Sequence, residues 1–190
     1  MTTKFNPARL RRLMSAERRK QLPPDKILRE IGLQPGATVV DIGAGPGFFA
    51  LEAAHIVGPA GRIFGLDILP VMIGELKKNA RRMGLSNIRA ILVPETPADF
   101  PVGADLYLIV NTLHEFKDKA GYLRRIRGRM ILSSRLVIID FLKKKTAHGP
   151  PLRERIPLAG IASLLARAGL FVERIFRPND EEYGIVARLR

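Results

Sequence analysis

Seven short runs of β-branched and aliphatic residues recur along the chain: Thr38–Ile42, Arg62–Leu66, Ile88–Val93, Asp105–Val110, Leu136–Phe141, Phe171–Phe176 and Tyr183–Leu189. Their length and composition predict seven strands. Between them, apolar positions repeat at helical spacing over Gly47–Val57, Pro70–Met83, Asp118–Arg127 and Leu158–Ala168, with Gly58, Gly84, Gly128 and Gly169 marking the ends. This alternation predicts an α/β fold in three α/β/α layers, a parallel sheet covered by helices on both faces. Val39–Ile42, Leu106–Val110 and Leu136–Ile139 read as buried on both faces, whereas the last two runs alternate more, carry charges and read as an edge. Only Arg177–Glu182 separates that last pair. A connection so short cannot make a right-handed parallel crossover, so the last strand is predicted antiparallel and the sheet mixed.

Ahead of the first strand, Pro7–Lys20 and Pro24–Ile31 predict two more helices. Residues 1–32 are thus expected to form a helical lid or appendage on a domain spanning 33–190. The basic, proline-rich stretch Lys143–Pro157 predicts a mobile loop at the carboxyl end of a central strand.

Composition narrows the function classes. The 190 residues are 46% hydrophobic and 26% charged, enough for one domain with a core of its own. No apolar run approaches the ~18 residues that cross a bilayer, and the opening residues do not read as a signal peptide, so the cytoplasm is the expected compartment. The absence of cysteine excludes disulfides, thiolate zinc sites and cysteine nucleophiles. The three histidines, at 55, 114 and 148, lack ligand spacing, so no metal site is expected. The net charge of +14 divides as +6 over residues 1–30, −1 over 31–120 and +9 over 121–190. The middle of the chain is therefore no polyanion trap, and the basic ends have no interleaved aromatics for stacking single strands. Nucleic acid stays a secondary candidate partner.

The densest chemistry lies in V-V-D-I-G-A-G-P-G-F-F-A, Val39–Ala50, where an apolar strand runs into a glycine turn that opens a helix. Gly43, Gly45 and Gly47 allow left-handed angles and close approach of a ligand, in the crevice where open α/β sheets bind one. A dinucleotide fingerprint starting at Gly43 would need glycine at position 48, which is Phe48, and no G-K-[ST] follows for a phosphate loop. Asp41 at the strand end would repel a pyrophosphate and suits a cationic ligand. Asp67 ends the next strand, where a carboxylate can accept both ribose hydroxyls or cap the following helix. That position alone points to a nucleoside and leaves nicotinamide and S-adenosyl ligands both open.

D-I-G-A-G-P-G, G-L-D, V-P-E-T-P, L-Y-L-I-V-N-T-L-H-E-F, R-L-V-I-I-D-F and L-L-A-R-A-G-L-F follow one another between Asp41 and Phe171. This ordered series resembles the class I S-adenosylmethionine-dependent methyltransferases, most closely the small-molecule branch that includes the ubiquinone and menaquinone biosynthesis type. The resemblance covers Pro24 to Leu189 and implies a Rossmann-like, doubly wound, seven-stranded mixed sheet with its last strand antiparallel. It further implies S-adenosyl-L-methionine as cofactor and S-adenosyl-L-homocysteine as product. Asp41 with Gly43, Ala44 and Gly45 would hold the methionine end, Asp67 the ribose, Ile68 and Met72 the adenine, and Asn111 would lie near the methyl group. The loop after the third strand reads Pro94, Glu95, Thr96; proline donates no hydrogen bond, so the adenine edge falls to Glu95 or the Thr96 backbone.

The implied reaction is methyl transfer to a small-molecule acceptor. His114, directly after the fourth strand, is the first candidate for a general base, ahead of Glu115, Asp140, His148 and Tyr183; His55 reads as structural. The N-terminal helices, through Phe5, Leu10, Leu13 and Met14, and the Lys143–Pro157 loop are expected to shape the acceptor pocket. Three alternatives remain: an RNA methyltransferase using the basic termini, weakened by the lack of N-P-P-[YFW]; a non-catalytic cofactor-binding module; and an oxidoreductase, disfavoured by Phe48 and Asp41. A homodimer stays open.

Overall fold

A computed structural model describes residues 7–95 and 101–190. Three short helices, α1 (Pro7–Leu13), α2 (Ala16–Gln21) and α3 (Pro24–Glu30), precede an alternation of β1 (Thr38–Ile42), α4 (Ala50–Val57), β2 (Arg62–Asp67), α5 (Pro70–Arg82) and β3 (Ile88–Leu92). The chain continues through β4 (Leu106–Val110), a 3-10 turn (Leu113–Glu115), α6 (Lys119–Arg127), β5 (Arg135–Phe141), α7 (Leu158–Arg167), β6 (Leu170–Phe176) and β7 (Glu182–Leu189). The seven strands form one sheet in the order β3-β2-β1-β4-β5-β7-β6, parallel except for β7, which runs antiparallel to both its neighbours. Three-layer architecture, strand number and mixed sheet agree with the pattern read from the sequence.

The period-2 alternation of each central strand divides its side chains between two cores. Val39, Leu106, Leu108, Val137 and Ile139 face Ile27 and Leu28 of α3, Leu51 and Ala54 of α4 and Leu76 of α5. Val40, Tyr107, Ile109, Leu136 and Ile138 face Leu123 and Ile126 of α6 and Ile161 and Leu165 of α7. Each such side chain taken out of water contributes ~1.5–3 kcal/mol, so the two faces clamp the strand ends that carry the site. The N-terminal helices share the first of these cores, and the Arg135 guanidinium of β5 donates to the carbonyls of Ile31 and Gly32, fixing the end of α3 to the sheet.

Three expectations change. Pro7–Lys20 is two helices rather than one, because Ser15 interrupts it and caps α2, its hydroxyl accepting from the Arg18 N–H at 3.2 Å. The last two strands are not both edges: β7 lies between β5 and β6 with Glu182 to Ala187 buried, and β6 alone forms that margin. The basic stretch after β5 is gathered on one buried guanidinium, since Arg155 donates to the carbonyls of Leu142, Lys144, His148 and Pro150. No helix among the described residues is long and apolar enough to cross a membrane.

Candidate functional site

Strand order reverses direction between β1 and β4, so the loops leaving their carboxyl ends part and leave a crevice. The turn after β1 is pinned at its base: the N–H groups of Gly43 and Ala44 both donate to Leu66 O, at 2.8 and 2.9 Å. Gly43 has φ +72°, and a Cβ there would come within 2.4 Å of Thr112, so only glycine lets the β1 and β4 loops meet. Gly45, at φ +55°, faces open space; a side chain there would protrude where a ligand is to lie. Helix α4 starts at Ala50, not Gly47, because the turn continues through Phe49.

Asp41 and Asp67 stand on either side of this turn. Asp67 accepts from Gly45 N–H and from Leu69 N–H, both at 2.9 Å. It therefore braces the turn and the entry to α5. Asp41 is buried, with 3% of its surface exposed, and its Oδ2 has no hydrogen-bond partner. Burial, and next the charge of Asp67, push its carboxyl up to about 7, against the opposing pull of the Ala50 N–H and the Arg18 guanidinium. An orphaned carboxylate oxygen beside a glycine cradle is a site asking for a cation, and it fits the ammonium of a methionine-type ligand.

These groups bound a cavity of about 260 Å³ that is also lined by Ala44, Ile68, Met72, Glu95 and Asn111. Ile68 is exposed at its rim and Met72 is buried in its wall. Glu95 lies at the mouth and pairs with Lys117 at 3.1 Å, while Thr96 falls outside the described residues, as does Phe5. Nine of the ten residues assigned to the cofactor thus come together around one cavity. Asn111, the residue after β4, has φ +52°, a left-handed angle that asparagine tolerates better than most side chains. Its Nδ2 donates to Glu182, and its Oδ1 is buried without a partner.

A second, larger cavity of about 780 Å³ adjoins the first, and Leu13, Arg18, Asn111 and Glu115 line both. His114 reaches this second cavity from the 3-10 turn. Its side chain is 6% exposed, and Nδ1 lies 2.8 Å from Oδ1 of Asp140, which is wholly buried at the end of β5. Oδ2 of the same carboxylate accepts the His114 backbone N–H at 3.3 Å, so the aspartate fixes both ring and main chain. A carboxylate accepts Nδ1–H, which leaves Nε2 as the basic nitrogen. Asp140, read from the sequence as a candidate base, is the carboxylate that orients the His114 ring. His148 also lines this cavity, with Nε2 3.8 Å from Glu17, whereas His55 is exposed on α4 and Tyr183 is buried with its hydroxyl donating to Ile156 O.

Sequence reasoning missed Arg18 and Glu182. Arg18 lies in a run of basic residues that read as surface, yet its guanidinium stacks 4.2 Å from the centroid of Phe48 and donates to Leu13 O at 2.9 Å. Burial lowers its pKa to about 10 against the raising effect of Glu182 and Asp41. Glu182 is 4% exposed, accepts from Asn111 and Asn179, and is pushed upward by burial.

Known proteins resemble the chain in sequence and in fold. A family model described as a methyltransferase domain matches residues 33–155. The crystal structure of a SAM dependent methyltransferase from Aquifex aeolicus is 26% identical, with a TM-score of 0.91, covering 98% of this chain and 100% of that one. An aklanonic acid methyltransferase of Streptomyces sp. (strain C5) is 36% identical over 91 residues, 47% of this chain and 41% of its own length. A ribosomal protein L11 methyltransferase of Thermus thermophilus is 30% identical over 132 residues, 70% of this chain and 48% of its own. The chain spans less than half the length of these curated relatives.

Proposed function

The chain belongs to the methyltransferase domain family, and from that premise we propose that it is an S-adenosylmethionine-dependent methyltransferase acting on a small-molecule acceptor, with His114 as general base. The carrying observation is the pair of adjoining cavities: one bounded by Asp41, the glycine turn and Asp67, the other by the His114–Asp140 pair, with Asn111 and Arg18 at the junction.

S-adenosylmethionine, when bound, supplies a methyl group on a positively charged sulfur, a leaving group that needs no further activation. Asp41 and the Gly43–Gly45 turn would hold its amino-acid end, Asp67 its ribose, and Ile68, Met72 and Glu95 its base. The protein's own part is largely positional, since holding two reactants in line is worth on the order of 7–11 kcal/mol. His114 Nε2 takes the proton from the acceptor's heteroatom, and the Asp140 carboxylate at 2.8 Å from Nδ1 stabilises the imidazolium that results. Arg155 anchors the segment after β5 that walls the acceptor cavity.

The wall of the acceptor cavity carries six carboxylates among the described residues, Glu17, Glu115, Glu154, Asp180, Glu181 and Glu182, against Arg12 and Arg18. In a chain of net charge +14 this is a local inversion of sign, and it favours a neutral or cationic small molecule over the phosphates of RNA. The likeness to the quinone-biosynthesis branch makes phenolic and ring-carbon acceptors the first to assay.

Calorimetric titration with S-adenosylhomocysteine and with NAD tests the cofactor half. The expected result is heat with the first and none with the second, and at least tenfold weaker binding of S-adenosylhomocysteine by Asp67→Ala. Silence with S-adenosylhomocysteine, or unchanged affinity in the variant, refutes the assignment. Turnover of any acceptor, lost in His114→Ala, separates an enzyme from a non-catalytic module.

A further inference from the structure

We propose that Arg18, delivered by helix α2 from outside the methyltransferase core, is the residue that receives the carboxylate of the methyl donor's amino-acid end. The inference rests on the cofactor reading above and assigns it a residue that the motif series does not contain.

A methionine-type ligand brings two opposite charges into the cavity beside Asp41. The orphaned Asp41 Oδ2 suits the ammonium. The neighbouring carboxylate then needs a cation, because Asp41, Asp67, Glu95 and Glu115 already line the same space. Among the described residues lining that cavity, Arg18 is the one cation. Hydrogen bonds from the turn could hold a carboxylate but could not balance its charge against these aspartates, whereas a guanidinium offers a planar fork that matches it.

The structure holds Arg18 ready for this. Ser15 caps α2 through the Arg18 N–H, Phe48 of the glycine turn supports the guanidinium face at 4.2 Å, and Leu13 O accepts one N–H at 2.9 Å. Of the five donors on a guanidinium this uses one. The side chain lines both cavities, so it lies where the amino-acid end of the donor and the acceptor space meet. Helix α2 is then part of the cofactor site and not merely a cover over the acceptor.

Calorimetry of the full chain with two titrants tests this: S-adenosylhomocysteine, and its decarboxylated form, which keeps the ammonium and lacks the carboxylate. Arg18→Met should lose at least tenfold in affinity for S-adenosylhomocysteine and less than twofold for the decarboxylated form, with Arg18→Lys retaining part of the difference. Equal losses for both titrants in Arg18→Lys, or no loss in either variant, overturn the proposal by making Arg18 structural or irrelevant to the donor. Should the acceptor's KM rise in Arg18→Lys while both donor affinities stay unchanged, Arg18 belongs to the acceptor and the proposal also falls. Failure of the unaltered protein to bind S-adenosylhomocysteine at all would instead bring down the cofactor reading on which it stands.

Discussion

Asp41→Asn separates what the buried carboxylate costs the fold from what it provides to a ligand. In the folded chain Asp41 titrates at about 7, against an ordinary 3.8, chiefly because burial penalises its charge and Asp67 repels it. A raised carboxyl stabilises the fold below the unfolded value, and that stability is lost as pH rises through the folded one. At pH 5 the folded group holds a proton that the unfolded chain has released; at pH 8 neither state holds it. Two units of that window at 1.36 kcal/mol each give a loss of ~2–3 kcal/mol for the ionisable protein, and asparagine, with no proton to give up, escapes it. For a chain of this size the difference amounts to roughly 5–10 °C in Tm. Thermal melts of both proteins without ligand, at pH 5 and pH 8, provide the measurement, and titrating groups not coupled to Asp41 cancel in the comparison. The wild-type melting curve should descend relative to that of the variant as pH rises. Parallel pH profiles would refute the argument. Added S-adenosylhomocysteine should raise the wild-type Tm more at pH 8, where Asp41 is ionised, and should do little for the variant.

Two further outcomes are expected. Asp140→Asn removes the charge facing His114 Nδ1, and since a hydrogen bond to a charged group is worth ~1.5–3 kcal/mol, kcat/KM should fall about 10–100-fold with S-adenosylhomocysteine affinity unchanged; the same substitution should add nothing in a His114→Ala background. Leu76→Ala empties a fully buried position packed beneath Gly47 and Gly65 and should cost ~2–5 kcal/mol, read as a lower urea midpoint at an unchanged slope.

That the residues proposed for the cofactor would gather at one place was legible because their chemistry is local. Asp41, the glycine turn and Asp67 lie within one strand-turn-helix-strand unit, and the left-handed angles at Gly43 and Gly45 require the residue type that announces them. Arg18 was illegible for the opposite reason. Nothing in the run Arg11 to Lys20 distinguishes the guanidinium that lies nearest the Phe48 ring and lines the cavity from its neighbours. Ser15, the cap that breaks this segment into two helices, was outweighed by the helical spacing of Leu10, Leu13 and Met14 around it. The inner position of β7 could not be read either, since strand order is set by non-local pairing, and its alternating apolar pattern reads equally as a margin or as a filled interior strand. Asp140 was noticed as a carboxylate, but that it serves His114 follows only from β4 and β5 lying side by side.

The two cavities draw their walls from different material. The smaller chamber, proposed for the donor, is cut mostly from the ends of β1, β2 and β4, whereas the larger one beyond it is enclosed mostly by the N-terminal helices, the segment that follows β5 and the turn that leads into β7. Arg18 and Leu13 aside, which also line the first cavity, mutations can accumulate in those outer segments without disturbing strand pairing or the glycine turn. Descendants of such a scaffold are free to trade one acceptor for another while inheriting the same transfer chemistry unaltered, and a designer seeking new acceptors would randomise those three segments first.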